Sequence, residues 1–306
     1  MLYFLIGLAV LSLLLSFICY RLCFYSRTAE GDDFRVPETD QYAPYKNRSL
    51  AMIKSLLEKP CERVNIISFD GLKLSARLYR LKENAPVCIC AHGWHGTAAR
   101  DFSGGAAMLM DFGYNVLLLD QRAHGESEGH TLSFGINESR DLLSWITYIN
   151  NKFGEKTPVY LYGVSMGAAT VCMSAGMDLP VNVRGIVADS PYSSAKDIII
   201  HTADQLKLPG KLLYPFARVG ARLFGNGADI EKMTAADQIR RCRIPLLIIH
   251  GTDDRFVPCS MSEEIAAANP LVQREVFDGA GHVMSFLTDE PRYRTIIRDF
   301  MERTLA

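Results

Sequence analysis

No sign of charge prevails in this chain: 33 Lys and Arg stand against 34 Asp and Glu, a formal net charge of −1. A nucleic-acid binder wants a basic surface, so that class has no support here. Cysteine is scarce as well, with eight in 306 residues. That is too few for a disulfide scaffold at this length, and no C-x-x-C pair occurs to suggest zinc or thioredoxin-type chemistry. Cys88 and Cys90 take alternate positions of the apolar run 87–91, and Cys172 lies in an apolar helical stretch; all three read as small core residues. Internal repeats and low-complexity tracts are missing too. What is present, 48% hydrophobic and 22% charged residues, suits a globular protein with a substantial core.

Charge is also missing from Met1 to Tyr20, a stretch that is almost wholly apolar. About 20 such residues span a hydrocarbon core as a helix. A cleaved signal peptide is the competing reading. Against it, no Lys or Arg precedes the run, and Phe17-Ile18-Cys19-Tyr20 offers no small-residue cleavage site. Arg21, Arg27 and Arg35 follow the run, diluted by Glu30, Asp32 and Asp33. The positive-inside rule therefore places the rest of the chain in the cytoplasm of a single-pass membrane protein. Residues 1–22 are expected to be the anchor and 23–60 a linker, broken by Pro37, Pro44 and Pro60. The linker carries a short amphipathic helix over Ser49–Glu58, with Leu50, Ile53, Leu56 and Leu57 on one side. Residues 61–306 form the globular unit.

That unit opens with a hairpin, Arg63–Phe69 and Leu72–Tyr79 around Asp70-Gly71. Buried strands are then expected at Val87–Ala91, Tyr114–Asp120, Val159–Gly163, Gly185–Ala188 and Ile244–His250, with a shorter one at Glu275–Phe277. Helical stretches near Ala98–Met110, Glu138–Phe153, Ser165–Met177, Ser260–Ala268 and Pro291–Thr304 alternate with them. Continuous apolar strands between helices mean a mostly parallel sheet covered on both faces, an α/β fold. Residues 192–240 break the rhythm, with scattered apolar residues and no strand. They form either a small helical insertion over the C-terminal edge of the sheet, where ligands bind in open α/β folds, or ordinary crossover helices.

Chemistry concentrates at the strand ends. Gly163-Val164-Ser165-Met166-Gly167 joins a strand to a helix. A serine between two glycines at such a turn is what a nucleophile elbow requires. A serine hydroxyl needs a base, and the base an orienting acid. Of seven histidines, only His282, in Gly279-Ala280-Gly281-His282, lies late enough to follow both elbow and acid. The acid is sought between them. Asp253 and Asp254 end the strand 244–250, and Asp189 ends the strand before. His92-Gly93-Trp94-His95-Gly96 closes the strand 87–91 as a turn able to aim an amide at a reacting carbonyl oxygen. The oxyanion donors would be the backbone N–H groups of Trp94 and Met166. Asp120 and Arg122 are expected to pair in the loop after the next strand, with His124 packing there. A metal held by His92, His95, His124 and His130 finds no accompanying carboxylate or cysteine pattern.

Together these residues resemble the α/β-hydrolase fold superfamily. His92-Gly93-x-x-Gly96 is similar to its oxyanion turn. Asp120-x-Arg122-x-x-Gly125-x-Ser127 is similar to its D-x-R-G-x-G-x-S loop, with Ala123-His124 in place of the usual glycine and variable residue. Gly163-x-Ser165-x-Gly167 resembles the elbow, His250-Gly251-x-x-Asp254-x-x-Val257-Pro258 the acid turn, and Gly281-His282 the histidine loop. The five motifs stand in the family order and cover roughly residues 62–305. Within the superfamily the chain most resembles membrane-anchored bacterial hydrolases of the Bem46-like and serine-aminopeptidase-like groups. The resemblance implies that Asp254 is the acid of a Ser165–His282–Asp254 triad. It also implies cofactor-free and metal-free hydrolysis of an ester, thioester or amide. An acyl or lipid-like ester is the expected substrate. A peptide substrate, acyl transfer to another acceptor, and a non-catalytic receptor on the same fold are the alternatives.

Overall fold

The computed structural model describes residues 1–26 and 33–305; Arg27, Glu30 and Asp32, weighed above for membrane orientation, lie outside them. The chain begins with a 22-residue helix, α1 (Leu2–Cys23), followed after the segment 33–45 by α2 (Lys46–Leu57). The sheet then opens with β1 (Glu62–Ile67) and β2 (Lys73–Tyr79). The expected hairpin turn is longer than its Asp-Gly pair. The Ser68 N–H donates to the Leu72 carbonyl at 2.8 Å, and Gly71, at φ 90°, supplies the left-handed residue that closes it.

From there strands and helices alternate. They are β3 (Val87–Ala91), α3 (Ala98–Asp111), β4 (Asn115–Asp120), α4 (Ile136–Phe153), β5 (Val159–Val164), α5 (Met166–Ser174) and β6 (Val183–Asp189). Three helices without an intervening strand follow: α6 (Ala195–Gln205), α7 (Gly210–Phe224) and α8 (Ala235–Ile239). The chain ends with β7 (Leu246–Gly251), α9 (Cys259–Ala267), β8 (Val272–Phe277), α10 (Ser285–Thr288) and α11 (Glu290–Leu305). β8 begins three residues earlier than the apolar pattern marked, because its partly exposed positions include Gln273 and Arg274.

The eight strands form one sheet in the order β1-β2-β4-β3-β5-β6-β7-β8. β2 runs antiparallel to both β1 and β4, and every other pair is parallel. Every residue of β3, β4, β5 and β7 is buried, as a parallel sheet covered on both sides demands. One face carries α4, α5, α6, α7 and the end of α1, through Trp145, Val171, Ile198, Ala217 and Tyr20. The other carries α2, α3 and α11, through Leu56, Phe102 and Phe300. The topology switches between β3 and β5, which stay paired to Ala91 and Gly163, and the connections leaving their C-terminal ends part to opposite sides, the place where open α/β sheets bind ligands.

The expected partnership of Asp120 and Arg122 does not form. Arg122 is buried and pairs with Asp141 of α4 at 2.7 Å and with Asp70 of the hairpin turn at 3.0 Å. Asp120 instead accepts the Glu126 N–H at 3.2 Å and faces Arg63 at 3.7 Å. A buried guanidinium needs charged acceptors around its whole fork, and two separate elements supply them. Burial pushes the Asp141 carboxyl up to about 6 against the opposing pull of Arg122.

Candidate active site

Ser165 stands between β5 and α5 at φ 53°, ψ −116°, a conformation a residue with a side chain adopts at a cost of order 1–3 kcal/mol. Its surroundings hold it there. The Ser165 N–H donates to the Asp189 carbonyl of β6 at 2.8 Å, and the residue is buried. Gly163 and Gly167 allow the close approach, since a Cβ at Gly163 would run into the Gly167 carbonyl and one at Gly167 into the Ala91 carbonyl. The strain turns the hydroxyl out of the ladder toward the crevice.

The loop after β8 brings His282 to that hydroxyl. His282 Nε2 lies 2.8 Å from Ser165 Oγ, and Nδ1 lies 2.7 Å from Asp254 Oδ2. An ionised carboxylate only accepts, so Nδ1 carries the proton and Nε2 is left to accept the serine O–H. Asp254 sits in the turn after β7, fully enclosed, and every lone-pair direction is answered. Oδ1 accepts the N–H groups of Phe256 at 2.9 Å and Val257 at 2.8 Å, and Oδ2 also faces His250 Nε2 at 3.1 Å. Burial pushes the Asp254 carboxyl up, but the positive charge His282 can take up and the hydrogen bonds from both imidazoles outweigh it and hold the group well below the usual carboxylate range.

The other two candidate acids point elsewhere. Asp253 is exposed, and its carboxylate faces the Thr252 hydroxyl at 3.4 Å. Asp189 is buried but accepts from the Tyr293 hydroxyl at 2.8 Å and faces Ser190 Oγ at 3.0 Å.

The turn after β3 lies beside the serine. A Cβ on Gly93 would come within 3.3 Å of the Ser165 Cβ, so a side chain here would crowd the serine. The Gly93 N–H donates to Asp101 Oδ2 at 2.8 Å, and Asp101 pairs with Arg100 at 2.8 Å in the first turn of α3. Burial raises the Asp101 carboxyl, but the Arg100 charge wins and keeps it low. The next amide, that of Trp94, and the first amide of α5, that of Met166, have no backbone or side-chain acceptor among the described residues. Two unpaired amides, one at a helix N-terminus, are suited to a negative oxygen.

The four histidines weighed as metal ligands are engaged in hydrogen bonds and ring contacts. The His92 Nδ1–H donates to the Gly93 carbonyl at 2.8 Å while Nε2 accepts the Gln121 N–H at 3.2 Å. The His124 ring stands edge-on 4.6 Å away, and His130 stacks on Tyr25 instead. Burial lowers the pKa of His92, His95 and His124 alike. Among the described residues no three His, Cys, Asp or Glu side chains are placed to hold a metal ion.

A cavity of about 530 Å³ opens onto Ser165, His282 and Trp94, walled by Phe102, Met284 and Phe286 and also by Val36, Pro37, Gln41, Tyr42 and Met52. No residue of α6, α7 or α8 lines it. The wall that sequence reasoning missed is the segment 33–45. Gln41 Nε2 donates to the Asp253 carbonyl at 2.6 Å, the Tyr42 hydroxyl to the His282 carbonyl at 2.9 Å, and Arg255 meets Asp40 at 2.9 Å. That segment carries no periodicity or motif that could have announced the contacts. His250 was visible inside the acid-turn motif, but only as a spacer.

Residues 88–294 match the model of the alpha/beta hydrolase family. The chain is 27% identical over 199 residues to the Bacillus subtilis protein YqkD, covering 64% of each chain. It is 24% identical over 238 residues to the lysophosphatidylserine lipase ABHD12 of Xenopus tropicalis, covering 73% of this chain and 59% of that one. The chain thus spans about three fifths of the length of these curated relatives. Among solved structures, the Pyrococcus furiosus esterase Pf2001 superposes with a TM-score of 0.69 at 23% identity, covering 92% of this chain and 99% of that one. At that identity the likeness speaks to the fold.

Proposed function

The chain belongs to the alpha/beta hydrolase family, and from that membership we propose that it is a membrane-held serine hydrolase that cleaves a carboxylic ester of an acyl or lipid-like substrate. One observation carries the reading: the unbroken relay from Ser165 Oγ through His282 to Asp254, with contacts of 2.8 and 2.7 Å. As His282 Nε2 takes the hydroxyl proton, Ser165 Oγ bonds to the substrate carbonyl carbon. The carbonyl oxygen becomes an oxyanion facing the Trp94 and Met166 amides, each donor being worth about 3–4 kcal/mol in such sites. Asp254 holds the imidazolium and its orientation. Return of the proton to the leaving alcohol breaks the ester C–O bond and leaves an acyl-Ser165. Water, deprotonated by the same histidine, then releases the acid and restores the serine.

The ester class is supported by the apolar walls of Phe102, Met284 and Phe286, which suit an acyl chain in a cavity within the usual ligand range. The lipase and esterase names of the two relatives point the same way. The membrane part is supported by α1, with 22 residues and a mean hydropathy of 2.6, the length of a bilayer span.

A fluorophosphonate probe tests the chemistry. It should label the full chain, and Ser165→Ala should abolish labelling; unchanged labelling of the variant would sink the assignment. A panel of p-nitrophenyl esters of graded length beside aminoacyl-anilides tests the substrate class. Turnover of the anilides alone would replace the esterase reading with a peptidase.

A further inference from the structure

α7 presents three stripes. Tyr214, Ala217, Gly220 and Ala221 are buried. On another side Leu212, Val219 and Leu223 are 67, 47 and 60% exposed, and with exposed Pro215 their spacing of three, four and four residues puts them on one helical face. Lys211, Arg218 and Arg222, all exposed, run beside that face. Leu206 and Leu208, just before the helix, are exposed as well. An apolar face flanked by basic residues is the pattern of a helix lying in a lipid interface.

The buried stripe meets α1. A Cβ at Gly220 would collide with the Ser16 carbonyl, so the two helices touch through a small residue, as apolar helices do in lipid. Phe17 and Tyr20 set their rings 5.2 and 5.9 Å from that of Phe224. Phe17, Ile18 and Leu22 remain 42, 43 and 67% exposed, so the apolar surface of α1 continues onto α7.

Length then fixes depth. At about 1.5 Å per residue the whole of α1 measures about 33 Å, which matches a hydrocarbon core of about 30 Å. The part of α1 before Leu15, exposed throughout, measures only about 20 Å. A span that ended there would fall short, so the next turn of α1, up to about Tyr20, must also lie within the apolar slab, and α7 packs on it at Ser16, Phe17 and Tyr20.

We propose that α7, with Leu206 and Leu208, is a second membrane-contact element whose Leu212–Val219–Leu223 face inserts into the leaflet from which α1 emerges. Lys211 then sits at the level of anionic headgroups, beside Arg218 and Arg222, which pair with Glu231 at 2.9 Å and Asp229 at 3.8 Å. The occupant of this face is the bilayer itself. The inference rests on reading α1 as a membrane span. The α1–α7 unit also touches the site, because the Trp94 indole donates to the Cys23 carbonyl at 3.2 Å. Docking through α7 thus brings the cavity next to the lipid surface.

The test uses the full chain in vesicles of phosphatidylcholine and phosphatidylglycerol containing lipids spin-labelled near the headgroup or deep in the chain. An environment-sensitive fluorophore is attached in a Cys61→Ser background to Leu212→Cys, Leu223→Cys, Val10→Cys of α1, or the 93% exposed Val181→Cys. The expected result is several-fold stronger quenching by the shallow label at 212 and 223 than at 181, with position 10 quenched by the deep label. If 212 and 223 behave like 181 while 10 is quenched, the α7 proposal is overturned and α1 remains a span. If none is quenched, both readings fall. Quenching at 212 and 223 without 10 supports contact through α7 and removes the span.

Discussion

The last residue of β6 and the turn after β7 each carry a buried carboxylate close to His282, and the two groups are driven in opposite directions. Asp254 is held low and Asp189 is held high. Burial is the largest influence on both and raises both; what differs is the set of donors. Asp254 receives two backbone N–H groups and faces two imidazoles. Asp189 receives hydroxyls, from Tyr293 and Ser190, and Tyr293 bonds in turn to Tyr162. Two hydroxyls stabilise a carboxylate less than two backbone N–H groups together with imidazoles that can take up positive charge. The comparison teaches that a strand-end aspartate is fitted to serve as a triad acid, the role proposed for Asp254, by what its surroundings aim at it. Position between serine and histidine in the sequence is not enough.

Kinetics with short-chain p-nitrophenyl esters offer the hardest way to break this contrast. Asp254→Asn keeps the shape but presents the wrong hydrogen-bonding group to Nδ1, and kcat should fall about 10⁴-fold, as in triads generally. Asp189→Asn disturbs a tyrosine and a serine, and the loss should stay within about tenfold. Equal losses would erase the distinction, and a reversed order would make Asp189 the acid.

A smaller effect is the response of stability to acid. The Asp254 carboxyl is lowered by folding, so its contribution is complete above the unfolded value of about 3.9 and is lost as pH falls through the folded one. Asp189 is raised, so the folded state binds its proton more tightly and loses stability as pH rises from about 3.9 toward the folded value. Urea melts at descending pH should therefore show Asp254→Asn losing less stability than the parent on acidification below about pH 4. Asp189→Asn should lose less than the parent as pH rises above about 4. Parallel curves for all three would mean that neither carboxyl is shifted by folding.

The features legible in the sequence share one property: each announces itself locally. Runs such as 87–91 and 159–163 read as buried strands because four to six apolar residues in succession fit nothing but a covered sheet. The strand-end motifs showed because glycines mark places where backbones must touch. Local signals could not choose between Asp253 and Asp254, since a turn's register depends on the loop it meets; here the Asp253 N–H goes to the Ala280 carbonyl, leaving Asp254 to face His282. Nor could they find partners far apart in sequence. Arg122 looked suited to Asp120 two residues away, yet its fork is filled from Asp70 and Asp141. The packing of α1 on α7 hid behind the uniform apolar character of α1, which gives no hint of which side is covered.

The segment 33–45 is the extreme case and gives the smallest expected effect. Tyr42 and His282 are 240 positions apart, yet the tyrosine hydroxyl donates to the carbonyl of the histidine whose ring lies against Ser165. Tyr42 also walls the cavity, so it can act on the imidazole loop, on the substrate, or on both. Tyr42→Phe keeps the ring and removes only the donor, a hydrogen bond worth about 1 kcal/mol. If the bond steadies the histidine loop, kcat should drop about fivefold with KM unchanged, in a background where Asp254 is intact. Combined with Asp254→Asn, which already leaves the ring unanchored, the same substitution should cost less than it does alone. A rise in KM with kcat untouched would assign Tyr42 to the pocket wall and leave Asp254 and its turn as the sole support of His282.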